Sequence, residues 1–360
     1  MSDGSDIIWR KVSEASREQT FEAIDLIYNL DEPHMFGGNI GLILSCIDVP
    51  NKKTKGEDCI HKLDIVSTPD FSLAKLRITH EVTPDQGACS QIIRVSQGLK
   101  VAGFDSGYIV PIKNFGLKKT FNCDVHQRLN HHHGAVNALA VNKEGTEVAS
   151  GSTAGDLVLY KARVEDVTFF KRTKVGKCVT GLAYSPEKKI PGVSTIIYST
   201  LEGNLGIIDT RCNDQSDIIS INSICKKHLN ISSLCHVSNR PGMLVYLGCA
   251  TGEVVGTDLR KPDQQLASPE PSNGCIRRMK EVNVKDTQGN MCNFIVYTDQ
   301  SNELQIYDVE TMQKNDRWVC DRLTNDEQRD FVQVGDALIT CGRRTSIGHW
   351  LWDGPAVVSG

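Results

Sequence analysis

Apolar residues in this chain occur in short runs, many alternating with polar ones, and most runs are closed by Gly, Asn, Asp or Ser. A period of two places one set of side chains on a buried face and predicts β-strands. No apolar spacing of three and four residues persists long enough for a helix of useful length. The segment Thr20 to Leu30 fits either reading, since Phe21, Ile24, Ile27 and Tyr28 suit a helical face about as well as a strand.

The strand pattern repeats. Five segments share a β-rich run, a few turn residues, a Gly or Asn, and an alternating strand: Val101–Val110, Ala149–Tyr160, Tyr198–Asp209, Leu247–Asp258 and Tyr297–Asp308. Their turn residues are Gly107, Gly155, Gly203, Gly252 and Asn302, at spacings of 48, 48, 49 and 50. A tight hairpin needs a residue with positive φ there, which Gly adopts freely and Asn tolerates. A further short strand precedes each hairpin, at Val136–Val141, Val179–Tyr184, Ile231–Val237 and Ile276–Val282. Each unit therefore has at least three strands and room for a fourth.

Weaker copies flank the array at Met35–Leu44, lengthened by the polar insert Pro50–Asp58, and at Ala337–Gly342 followed by Ile347–Trp352. Seven units of this length predict a single all-β domain over 1–360, a seven-bladed β-propeller. The expected blades are 20–75, 76–130, 131–175, 176–222, 223–270, 271–318 and 325–353. The last unit is short of a strand, and 7–12, containing Trp9, is the candidate that completes it.

Composition narrows the function. Hydrophobic residues at 39% and charged residues at 23% suit a folded chain, and 40 Lys and Arg against 44 Asp and Glu give a net charge of -4. That balance disfavours a protein devoted to nucleic acid. No apolar run reaches the roughly 20 residues of a membrane-spanning helix. The N-terminal residues lack an apolar signal core, so a soluble, non-secreted protein is expected. The 13 cysteines are scattered, with no C-x-x-C pair, which suits a reducing compartment and suggests neither a disulfide framework nor a zinc knuckle.

His131-His132-His133 is the one cluster that looks like chemistry, because three neutral imidazoles could hold zinc or nickel. Consecutive residues on an extended segment point to alternating faces, however, and His132 is better read as tying its loop to the next strand. No G-x-S-x-G, G-x-G-x-x-G or P-loop occurs. Gly151–Gly155 and Gly248–Gly252 are hairpin turns, and Ser72–Lys75 and Ser185–Lys188 fit S-x-x-K as any long chain does. Lys52-Lys53-Thr54-Lys55 reads as a solvated loop tip, and Thr324–Asp330 as a solvated polar connection. No catalytic, cofactor-binding or metal-binding residue is assigned, and no individual partner-binding residue is identified. Partner binding is expected on rims and loops, with the insert Pro50–Asp58 and the linker Pro262–Pro271 as its least repeat-like surfaces.

The unit from His131 to Tyr160, with His132 four residues before Val136, the strand Ala149-Ser150-Gly151-Ser152 and the turn at Gly155, resembles a WD repeat. The dipeptide that names those repeats survives literally only at Trp352-Asp353. Two successive units end in Asp209-Thr210-Arg211 and Asp258-Leu259-Arg260. From about His131 to Trp352 the chain resembles the forty-three-kilodalton WD-repeat nucleoporins of the Y-shaped outer ring of the nuclear pore. That resemblance implies a non-catalytic scaffold at the nuclear envelope without a cofactor, supporting pore assembly and transport of protein and mRNA. It implies an α-solenoid nucleoporin of the short arm as neighbour and kinetochore association in mitosis. It implies no direct nucleic acid, no membrane insertion and no small-molecule substrate. The alternatives are a WD-propeller adaptor of an arginine methyltransferase, whose family also carries an Asp-Thr-Arg end but lacks the second Asp-x-Arg in the next blade, and, from another class, a propeller hydrolase.

Overall fold

The structure is a computed structural model and describes residues 9–16, 19–26, 39–48, 60–69, 77–82, 87–96, 98–114, 123–124, 128–163, 166–185, 195–210, 218–220, 229–237, 244–261, 265–266, 271–272, 274–285, 290–300, 304–309, 313–314, 328–334, 337–342 and 346–352. The chain is all-β, its strands pair in antiparallel sheets, and the described residues include no helix.

In chain order, β1 (Trp9–Ser16) comes first. The next sheet holds β2 (Gln19–Leu26), β3 (Asn39–Asp48), β4 (Ile60–Pro69) and β5 (Arg77–Val82). It is followed by β6 (Cys89–Arg94), β7 (Leu99–Phe104) and β8 (Tyr108–Asn114), with the two-residue β9 (Cys123–Asp124) and β10 (Leu129–Asn130) both on β8. The third sheet holds β11 (Val136–Val141), β12 (Glu147–Ser152), β13 (Asp156–Arg163) and β14 (Asp166–Lys174). In the fourth are β15 (Val179–Tyr184), β16 (Thr195–Thr200), β17 (Asn204–Asp209) and β18 (Ile218–Ser220). The fifth has β19 (Ile231–His236), β20 (Leu244–Cys249), β21 (Val254–Asp258) and β22 (Gln265–Leu266). The sixth has β23 (Arg278–Lys285), β24 (Met291–Thr298), β25 (Leu304–Asp308) and β26 (Gln313–Lys314). The seventh joins β27 (Gln328–Val334), β28 (Ala337–Gly342) and β29 (Ser346–Trp352) to β1 in the order β1-β29-β28-β27.

The ambiguous segment from Thr20 is thus a strand as far as Leu26, and the first of these four-stranded meanders runs on to Val82, past residue 75. The N-terminal strand pairs antiparallel with β29, placing Trp9 opposite Trp352 and Ser16 opposite Ser346. Pro50–Asp58, Lys52–Lys55, Ser72–Lys75 and most of the Pro262–Pro271 linker lie outside the described residues.

Neighbouring sheets meet through their first strands. β2 lies against β6, β6 against β11, β11 against β15, β15 against β19, β19 against β23 and β23 against β27, and β27 lies against β2 again. The order of neighbours returns to its start. Apolar side chains fill the space between consecutive sheets: Ala138, Leu157 and Leu159 of the third pack with Val179, Ile196 and Tyr198 of the fourth. Tyr246 of the fifth meets Ile295, Tyr297 and Tyr307 of the sixth. Because both faces of each middle strand are covered, β7 and β20 are buried along their whole length. Burying each such large side chain contributes about 1.5–3 kcal/mol.

Two kinds of glycine position set the fit. At the hairpin turns Gly107, Gly155, Gly203 and Gly252 have φ of 86°, 78°, 84° and 93°, the left-handed conformation the repeat requires. The fifth marker, Asn302, lies outside the described residues. Within β12, a Cβ on Gly151 would come within 2.4 Å of Val179, so the missing side chain is what lets the fourth sheet approach.

Candidate partner interface

A polar irregularity recurs where the first strands meet. In six of the seven, pairing with the second strand skips one residue, the signature of a β-bulge: Glu22, Ser90, Asn137, Thr180, Ser232 and Arg329. Four of them, Ser90, Asn137, Thr180 and Ser232, line a cavity of about 200 Å³ together with Arg278. Their polar atoms are largely used by the fold. The Ser90 hydroxyl donates to the carbonyl of Val136 in the next sheet. Asn137 Nδ2 donates to Val179 O at 3.3 Å, and Ser232 Oγ to Ile276 O at 2.5 Å. Thr180 and Ser199 share a hydrogen bond of 3.2 Å. Arg278 reaches from the sixth sheet to the Ser90 carbonyl of the second. The described lining has no His, Asp or Glu that could serve a hydroxyl as base. Ser90, Asn137, Ser232 and Arg278 thus latch one sheet to another, and Thr180 bonds within its own sheet.

The three consecutive histidines diverge. His132 is buried, with Nε2 2.5 Å from Ser150 Oγ of β12, the tie expected from the repeat pattern. Burial pushes its pKa down to about 4, so the ring is neutral at neutral pH. His133 turns to β13, where its main-chain N–H donates to Asp156 Oδ2 at 3.0 Å and its Nδ1 lies 3.1 Å from the same oxygen. Burial raises the proton affinity of the Asp156 carboxyl. The His133 contacts and Lys174, 3.8 Å away, outweigh it and hold the group below the usual carboxylate range. His131 stacks on Phe169 of β14, with ring centroids 4.5 Å apart and planes at 27°. Among the described residues no group of three or more His, Cys, Asp or Glu side chains is gathered as a metal would require.

That stacking leads to the surface with the least structural explanation. Four large apolar side chains are exposed among the described residues: Phe169 at 46%, Phe170 at 48%, Leu201 and Met291. Only the two phenylalanines are adjacent. A bulge between Leu159 and Tyr160 pairs Lys171 with Leu159 and Phe169 with Tyr160, leaving Phe170 as the extra residue. Phe169, paired with Tyr160, and Phe170, beside Lys161, lie on opposite faces of the sheet. On one face His131 covers Phe169, and Arg172 Nη1 lies 3.4 Å from the His131 carbonyl and from His133 Nε2. On the other, the Lys161 ammonium sits 4.6 Å from the centre of Phe170 and pairs with Glu147.

β14 is the outermost strand of its sheet, and no described strand pairs with its far side. Nine residues long, it exceeds the outermost strands β18, β22 and β26, with three, two and two described residues, and β5, with six, and is close to β1, with eight. The polar run Thr324–Asp330 needs a correction. From Gln328 it belongs to β27, and Asp330, expected in solvent, is 1% exposed and bound to Lys280. Sequence reasoning also passed over β14. Its signal was a Phe-Phe pair next to Lys-Arg, which breaks the alternation of a half-buried strand.

No protein-family model matches the chain, and no curated protein matches it in sequence.

Proposed function

We propose that the seven sheets are the blades of a WD-type β-propeller, its last blade completed by β1, and that the chain is a non-catalytic scaffold subunit of the outer ring of the nuclear pore. The observation that carries the architecture is the cyclic order of the first strands, in which β27 lies against β2. A closed ring of four-stranded units removes most free sheet edges and offers its rim to partners. The His132–Ser150 tie is the WD-repeat feature that this chain keeps. Two observations favour a binding role over catalysis: the polar groups of the cavity are largely engaged in hydrogen bonds of the fold, and among the described residues two adjacent exposed phenylalanines lie on the outermost strand β14.

The outer-ring assignment rests on the resemblance from about His131 to Trp352. It gives the chain the nuclear envelope as its place, other Y-complex nucleoporins as partners, including an α-solenoid subunit of the short arm, and kinetochores in mitosis. The second reading is an adaptor of an arginine methyltransferase. The Asp-Thr-Arg end at Asp209 favours it, and the second such end weighs less than its sequence suggests. Arg260 folds back on Asp258 at 2.6 Å, so Asp258-Leu259-Arg260 is a turn closing β21. Affinity purification of the tagged full chain from nuclear-envelope extracts separates the readings. Recovery of outer-ring nucleoporins in constant ratio supports the scaffold, and recovery of a methyltransferase without nucleoporins replaces it with the adaptor.

A further inference from the structure

We propose that the outer edge of β14 is the docking site for an extended, acidic segment of a partner protein, which adds to the third sheet as a fifth strand. The inference rests on the reading of the chain as a partner-binding scaffold and gives that partner a chemistry.

Three observations converge on this edge. The first is the main chain. An edge strand presents a row of N–H and C=O groups that can template another strand, and folded proteins usually blunt such edges by keeping them short. Among the outermost strands β18, β22 and β26 show two or three described residues and β5 six, whereas β14, with nine, is approached in length by β1 alone, with eight. The second is apolar surface. Phe169 and Phe170 are each about half exposed on opposite faces of the edge, and their rings are held in place by His131 and Lys161. An added strand sends successive side chains to alternating faces, so its apolar residues would reach both rings. Rings already held lose little freedom on binding.

The third observation is charge. The chain as a whole carries -4, yet Phe169-Phe170-Lys171-Arg172-Thr173-Lys174 holds three cations and no carboxylate. On the neighbouring β13, Lys161 is paired with Glu147 and Arg163 lies opposite Asp166 at the start of β14, and the buried Asp156 is engaged by His133 and Lys174, so the excess positive charge of the edge is that of Lys171 and Arg172. A partner strand carrying Asp or Glu meets complementary charge along this edge, and a basic one is repelled. A lipid surface fits less well. It is planar, whereas the rings point to opposite faces of the sheet, so only one could enter a bilayer at a time.

The test uses the full chain and a fluorescein-labelled peptide of about eight residues, the length of an ordinary strand, in which two adjacent central Val residues, one for each face, are flanked on both sides by Glu and Thr. Three comparison probes accompany it: a Lys-for-Glu version, a version with Pro at alternate positions, and vesicles of phosphatidylcholine with phosphatidylserine. Anisotropy reads binding, and hydrogen exchange reads the amides of 166–174. The acidic peptide is expected to bind and to slow exchange across that stretch. Paired substitution Lys171→Glu and Arg172→Glu should weaken it by about tenfold or more. Phe170→Ala, on an exposed ring, should weaken it with the melting temperature unchanged.

The proposal is overturned if the acidic peptide fails to bind, if the Lys or Pro versions bind as well, if the exchange pattern does not change, or if only the vesicles bind. Repeating the nuclear-envelope purification with the Lys171→Glu, Arg172→Glu chain keeps the two readings apart. Undiminished recovery of nucleoporins rejects this docking edge and leaves the scaffold standing. Peptide binding without any nucleoporin recovery supports the edge and rejects the scaffold's location.

Discussion

Lys280 places its ammonium 2.8 Å from the carboxylate of Asp330, fifty residues further on, and so fastens the first strand of the sixth sheet to the first strand of the seventh. The same ammonium donates to the Phe331 carbonyl and sits 5.1 Å from the centre of the Phe331 ring. Asp330 also accepts the Phe331 N–H at 2.8 Å. Gln333 and Asn283 hold the same pair of strands, Gln333 accepting from Asn283 N at 3.2 Å and donating to its carbonyl at 2.6 Å.

The Lys280–Asp330 pair is asymmetric, and its mutants should be too. Asp330 is 1% exposed, whereas about a third of the Lys280 side chain reaches solvent. Lys280→Met strands a buried carboxylate and should cost about 3 kcal/mol. Asp330→Asn leaves an ammonium that can turn outward and an oxygen that can still accept the Phe331 N–H. It should cost about 1 kcal/mol. Urea denaturation of the two single mutants and the double mutant measures the difference, and the double should be less damaged than Lys280→Met alone.

Acidification should loosen the third sheet through His132. Its pKa falls from 6.5 to about 4 on folding, so between those values the unfolded chain binds the extra proton. The contribution is complete above about pH 6.5 and lost as the pH falls towards 4, a change on the order of 3 kcal/mol. His132→Gln should be less stable at pH 7 and should lose less on going to pH 4.5. Thermal melts of both chains at pH 7.5 and 4.5 decide it.

Gly155 is irreplaceable at its turn. Its φ is +78°, and a Cβ there would stand 2.1 Å from the Gly176 carbonyl oxygen. Gly155→Ala should cost about 2 kcal/mol or more, by left-handed strain and by parting β13 from the loop at Gly176. Gly176→Ala also meets an unfavourable φ, +115°, but nothing lies within 4 Å of the added carbon. It should be the milder substitution in the same denaturation series.

The parts of this fold that were legible in the sequence are those whose cause is local. A hairpin needs positive φ at one residue, so Gly107, Gly155, Gly203 and Gly252 marked the turns without any knowledge of the sheets. His132 could be assigned to the fold because its place before Val136 belongs to a repeat. What escaped notice depends on pairing beyond the local turn, with the adjacent strand for the bulges and with a residue fifty positions away for Asp330. Asp330 looked like part of a solvated connection because the Lys280 that makes its burial tolerable lies in the preceding unit. Ser90, Asn137, Thr180 and Ser232 looked like ordinary polar interruptions, since a bulge shows only once two strands are in register. β14 was passed over because its Phe-Phe pair breaks the alternation of a half-buried strand, and the bulge that leaves Phe170 as the extra residue is set by the pairing with β13.

β1 supplies the fourth strand of the seventh sheet, and that completion can be measured by supplying the strand separately. A chain of residues 19–360 leaves β29 without the partner it has from Trp9 to Ser16. The account predicts that this chain melts well below the full protein or aggregates, and that one equivalent of a synthetic peptide spanning 1–18 restores solubility and melting temperature. A truncated chain as stable as the whole, or one that the peptide neither binds nor rescues, would contradict closure by β1.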